Sequence, residues 1–151
     1  MAGEKSLIFE KSLVWARMQD QKLFTWMTPI KIDKLMQEKK KVYTISNTQK
    51  EVLITKCQYS EQATLYALKL QSGAKIICSE EIDFNIEKTW VPLKEINFYE
   101  KILEYNIMNK NFRESYAMSI EKKVNFRAYE IDTEDHTAIV NSFLIMLDQH
   151  V

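Results

Sequence analysis

The sequence predicts an all-β protein of one domain, and three observations carry that prediction. Short apolar runs rich in β-branched and aromatic residues recur along the chain, with turn signals roughly every eight to twelve positions. Two pairs of runs face each other across polar connections, at Ser46-Asn47-Thr48 and at Ser72-Gly73, as hairpins do. The chain has 151 residues, 46% of them hydrophobic, enough for a core of its own, and two glycines and two prolines are too few for a linker-rich sequence.

Taken in order, residues 1–15 hold Leu7-Ile8-Phe9 and Leu13-Val14-Trp15, runs that suit edge strands or a short helix equally well and are set apart as an N-terminal extension. Leu23-Phe24-Thr25 reads as a short strand, Thr28-Pro29 as a turn, and Ile30, Ile32, Leu35 and Met36 as a short helical segment. Val42-Tyr43-Thr44-Ile45 pairs with the run from Glu51 to Thr55, and Leu65 to Leu70 pairs with Lys75 to Cys78. Between Asn97 and Met118, the steps of three and four residues linking Phe98, Ile102, Tyr105 and Met108 predict a helix of up to three turns. Strand character returns from Lys123 to Asp132. A polar turn, Thr133 to His136, precedes a closing hairpin of Thr137 to Val140 and Phe143 to Leu147 around Asn141-Ser142.

Composition narrows the function classes. Basic and acidic residues balance at 21 each, so no net field selects nucleic acid or an anionic membrane, and Lys39-Lys40-Lys41 reads as a solvated turn. The run Phe143 to Leu147 is too short to cross a bilayer, and two cysteines form no disulfide framework, so a soluble protein of a reducing, cytoplasmic compartment is expected. Two glycines make no phosphate-binding loop and two histidines no multi-histidine metal site; neither cofactor nor metal is expected. Acidic pairs such as Glu80-Glu81 and Glu134-Asp135 read as solvated surface. Cys57 falls in the turn-rich stretch Lys56 to Ser60, with Lys56 beside it to lower its pKa, which makes it either a plain loop thiol or an alternative nucleophile. Cys78 reads as core, and His136 is expected to bond within its own turn.

The least ambiguous stretch is Gly73 to Ile96, where Ser79 and Ile82 precede Trp90-Val91-Pro92-Leu93-Lys94-Glu95-Ile96. With Ala16, Asp20, Leu23, Thr25, Ile32 and Leu35 upstream, and Tyr129-Glu130-Ile131 with His136 downstream, this order resembles the Hint domain of inteins and Hedgehog proteins over residues 16–151. The resemblance implies a horseshoe of short strands with pseudo-twofold halves. Residues 97–118 take the place of a homing endonuclease but are far too few for one, leaving a linker. The same resemblance places Ala16 at the first splicing position, Ser79 and Ile82 at the threonine and histidine of the second motif, and Met146 and Leu147 at the final histidine and asparagine.

The chemistry of splicing makes those identities informative. A side-chain hydroxyl or thiol must attack the preceding carbonyl, an imidazole must protonate the leaving amide, and an asparagine amide must cyclise. Ala16, Ile82 and Leu147 supply none of these groups. The expectation is a degenerate domain retained as a structural or interaction module, with a host or partner protein as its partner. A still-active autoprocessing element with an unorthodox nucleophile, Cys57, Ser79 or Ser142, is the alternative. Asn141-Ser142 imitates a splice junction, but cleavage there would delete the last strand, so it reads as a turn.

Overall fold

The computed structural model describes residues 6–147, and its organising feature is a pair of very long strands. Twelve strands follow one another as β1 (Leu7–Phe9), β2 (Val14–Met18), β3 (Thr25–Met27), β4 (Val42–Ile45), β5 (Glu51–Leu70), β6 (Lys75–Cys78), β7 (Asp83–Ile86), β8 (Thr89–Pro92), β9 (Lys101–Asn106), β10 (Asn111–Thr133), β11 (Thr137–Val140) and β12 (Phe143–Met146). One α-helix, α1 (Pro29–Gln37), lies between β3 and β4. Thr28 accepts from the Lys31 amide and Pro29 fills the first helical position, where a missing N–H costs nothing.

All pairings are antiparallel, and the hydrogen-bonded order closes on itself twice. β5, β6, β1 and β10 form one circuit; β11, β2, β4, β5, β10, β9 and β12 form a second, sharing the β5–β10 pair. Closure leaves few unpaired edges, here β3 and β8, both short, and so limits edge-to-edge association. β5 and β10 pair from Ile54↔Thr133 to Leu70↔Ala117, with register shifts that bend the ribbon, one of them at Asn125, whose φ is 58°. Ala16 lies within β2, and residues 7–15 are part of the sheet: Ile8 and Val14 are fully buried and β1 pairs with both β6 and β10.

The hairpins expected at residues 42–55, 65–78 and 137–147 form as read. The helix expected between 97 and 118 does not. Its residues enter β9 and β10, which pair from Lys101↔Tyr116 to Asn106↔Asn111 around a turn in which the Asn106 side chain accepts from the Met108 amide. The inward position that would have revealed a strand period is held by a charged residue. Glu104 is 1% exposed and accepts from Arg113 Nε at 2.7 Å and from Ser72 Oγ at 3.0 Å. A carboxylate in a core position breaks the apolar alternation, and the remaining Phe98, Ile102 and Tyr105 then mimic a helical stripe.

The closing hairpin shows what Asn141-Ser142 does. Both residues have positive φ, 50° and 73°, as a two-residue type I′ turn requires. Asn141 also joins the lobes: its Oδ1 accepts from the Leu13 amide at 2.6 Å and its Nδ2 donates to the Lys75 carbonyl at 2.8 Å. The Ser142 carbonyl accepts from the Tyr105 amide. Ser142→Gly, which removes the steric cost of a left-handed serine, is expected to raise stability by about 1 kcal/mol. Asn141→Ala is expected to lower it by on the order of 2 kcal/mol through two lost hydrogen bonds. Midpoints of urea unfolding check both.

Candidate functional site

The strand register brings two of the splicing-equivalent positions together. β7 pairs with β12 through Asp83↔Met146 and Phe84↔Ile145, so the next step along the register sets Ile82 against Leu147. Leu147 is 2% exposed and Ile82 fully buried. The chain is fixed on both sides of them: the Ile82 amide donates to the Ser79 carbonyl, the Leu93 amide to the Ile82 carbonyl, and the Leu147 amide to the His136 carbonyl at 2.6 Å. Ala16, Ile82 and Leu147 belong to one apolar cluster with Phe84, Leu93, Phe143 and Ile145. Phe84 and Phe143 meet edge to face, ring centres 5.6 Å apart. The side chains of Ala16, Ile82 and Leu147 thus pack among hydrocarbon.

Ala16 stands in mid-sheet, with Thr25 on one side and Thr44 on the other. The carbonyl before it, that of Trp15, accepts from Thr44 Oγ1 at 2.8 Å. Ser79 lies elsewhere in the site, beside the start of the described chain. Its hydroxyl accepts from the Leu7 amide at 3.0 Å, and its own amide donates to the Leu7 carbonyl. One residue earlier, Ser6 is 3% exposed and its carbonyl accepts from the Ile131 amide. Sequence reading passed over Ser6, although a signal was present: an acid stands four residues after Ser6, at Glu10, just as Asp20 stands four after Ala16.

His136 bonds within its own turn as expected, Nδ1 to Asp132 Oδ1 at 2.8 Å, with φ of 64°. Met146 pairs with both Thr137 and Asp83 and is half-buried. Cys57 requires a correction, since it is in the middle of β5 and not in a loop. Strand alternation sends Lys56 outward, where its Nζ meets Glu130 at 3.1 Å, and sends the thiol inward to the Pro29 carbonyl at 3.4 Å. Burial, reinforced by the charge of Asp33, pushes the Cys57 thiol up to about 12, the reverse of nucleophile activation. Burial pushes Cys78 up as well. Among the described residues no group of three or more histidine, cysteine or acidic side chains is placed to hold a metal, and no helix is long and apolar enough to cross a membrane.

The arrangement has clear structural parallels. The chain superposes on a DnaB intein from Synechocystis with a TM-score of 0.75 and 16% identity, covering 95% of this chain and 99% of that one. The VidaL intein gives 0.78 and 11%, over 97% and 100% of the two chains, and an intein from a hyperthermophile gives 0.79 and 12%, over 95% and 99%. At the level of sequence, no family model and no curated protein matches. The chain therefore has the Hint fold of the inteins. Residues 16–151 are 136 of the 151, about 90%, so a match covering 97% takes in residues before Ala16.

Two raised thiol pKa values have a measurable consequence. A thiol held neutral in the folded state but free to ionise near pH 9 when unfolded contributes stability that is complete below pH 9 and lost as pH rises toward the folded value. Between pH 9 and 12, unfolding free energy is expected to fall by about 1.4 kcal/mol per pH unit for each thiol, and Cys57→Val is expected to remove one thiol's share. In the native state at pH 8 neither thiol should react with Ellman's reagent, whereas both should in guanidinium.

Proposed function

We propose that this chain is a Hint domain that no longer splices, kept as a structural or protein-interaction module. The observation that carries the reading is the apposition of Ile82 and Leu147 in the apolar core, where splicing would need an imidazole and a cyclising amide. Leucine has no amide nitrogen to attack its own carbonyl, and isoleucine no proton to give. Neither loss is repaired nearby, because His136 is engaged with Asp132 and Cys57 faces the core. A host or partner protein is the natural counterpart of such a module.

One observation favours a second, narrower reading, cleavage without ligation at the Lys5–Ser6 bond. The intein superpositions take in residues before Ala16, and the Leu7–Ser79 hydrogen bonds set Ser6 beside Ser79, which makes Ser6 the candidate nucleophile in place of Ala16. In that reading Ser6 Oγ attacks the Lys5 carbonyl carbon, the C–N bond breaks, and an ester forms with release of the Ser6 amine; water or hydroxylamine then cleaves the ester. The barrier is the missing imidazole at Ile82, which leaves the departing amine without its proton donor.

Intact mass spectrometry separates the readings. After incubation with hydroxylamine, the non-splicing domain is expected to remain a single species of 17.9 kDa. Loss of residues 1–5, abolished by Ser6→Ala, would establish the cleaving reading, and a ligated product lacking this chain would overturn both.

A further inference from the structure

The second apolar cluster, which includes Trp15 next to Ala16, contains a pocket that the Hint reading leaves unused. It forms where three connections converge: the loop after β2, the turn between β4 and β5, and the turn between β9 and β10. The cavity is about 510 Å³, within the range of roughly 300–1,000 Å³ that suits small organic ligands. Its walls are Trp15, Phe24, Tyr105 and Ile107, with Ile45 below. Trp15 and Phe24 lie nearly parallel with ring centres 6.0 Å apart, and Tyr105 packs edge to face on Phe112 at 5.2 Å.

The charged groups at this pocket share one sign, with the neutral Gln49 beside them. Lys22 and Lys110 stand at its rim, no carboxylate lines it, and neither lysine forms an ion pair among the described residues. Arg17, the next nearest cation, is already committed: its Nε donates to Glu51 at 2.9 Å while its guanidinium lies over Phe24 and Tyr43. Tyr105 adds a donor. Its ring is largely buried, while its hydroxyl lines the pocket, is reached by solvent and has no hydrogen-bond partner among the described residues, so it is free to donate to a ligand. A tyrosine donor, two ammonium donors and aromatic walls define a ligand with a flat apolar body and an anionic acceptor.

We propose that the pocket binds a planar aromatic anion, its rings against Trp15, Phe24 and Tyr105 and its carboxylate or sulfonate at Tyr105, Lys22 and Lys110. Neutral aromatics lack the group that the lysines recognise, so charge is the specificity element and the walls supply a general affinity. The site is independent of splicing chemistry, and its failure would leave the non-splicing reading untouched.

A matched probe pair tests it on the full chain: 1-anilinonaphthalene-8-sulfonate and the uncharged N-phenyl-1-naphthylamine, titrated with probe and tryptophan fluorescence as readouts. The sulfonate is expected to saturate at one site per chain. Lys22→Gln with Lys110→Gln, both exposed positions, should weaken it about tenfold and leave the neutral probe within about twofold, and Tyr105→Phe should weaken the sulfonate selectively. Circular dichroism verifies that each variant is folded. Equal effects on both probes, no effect of the lysine changes, or binding that never saturates at one site would overturn the assignment.

Discussion

The antiparallel pairing of β5 with β10 is the constraint on which the rest of this structure depends. The two strands are 20 and 23 residues long, and both hydrogen-bonded circuits pass through them. Each of the other strands is too short to stand alone, since an isolated hairpin is marginal in water. β6 finds its register on one end of β5 and β4 on the other, while β10 carries β1 and β9. The bulges in the ribbon let one pair of strands serve two lobes, because a straight ribbon of that length would hold both in one plane.

That geometry also decides where the splicing-equivalent positions meet. The end of β10 delivers the turn at His136 and then β11 and β12, whose last residues lie along β7 and so reach Ile82. The fold thus brings Ile82 and Leu147 together at one place in the core. Burying Ile82 and Leu147 contributes roughly 1.5–3 kcal/mol each relative to exposure. A neutral imidazole or carboxamide in the same packing would forfeit that contribution and would also need hydrogen-bond partners, which the surrounding Phe84, Phe143 and Leu93 cannot give. Placing a polar group at either position therefore works against the packing around it.

Much of the fold was legible in the sequence, where side chains alternate and the turns are polar. Ser46 to Thr48, Ser72-Gly73 and Asn141-Ser142 each mark a hairpin that the structure contains. What was not legible depends on tertiary partners. Glu104 occupies a core position because Arg113 of β10 and Ser72 of the β5–β6 turn satisfy it, and no local pattern announces a paired carboxylate inside a sheet. Cys57 read as a loop thiol because the residues after it, Gln58 to Ser60, are polar, yet the stretch is strand and Cys57 faces α1. Of the residues singled out in the sequence, Ile82 and Leu147 come together in the structure, as the β7–β12 register shows. Ser6–Glu10 and Ala16–Asp20 offer the same spacing in the sequence, and pairing with β6 and β10 is what places Leu7–Phe9 in the sheet.

The central claim is that the meeting place of β7 and β12 has become hydrophobic core. Equilibrium urea unfolding of Ile82→His combined with Leu147→Asn, followed at pH 8 where the imidazole is neutral, tests it most directly. If these positions are core, the double variant loses on the order of 4 kcal/mol or more relative to the unaltered chain. If stability changes by less than about 1 kcal/mol, the site accepts polar groups at little cost, and the assignment of Ile82 and Leu147 to the core is contradicted.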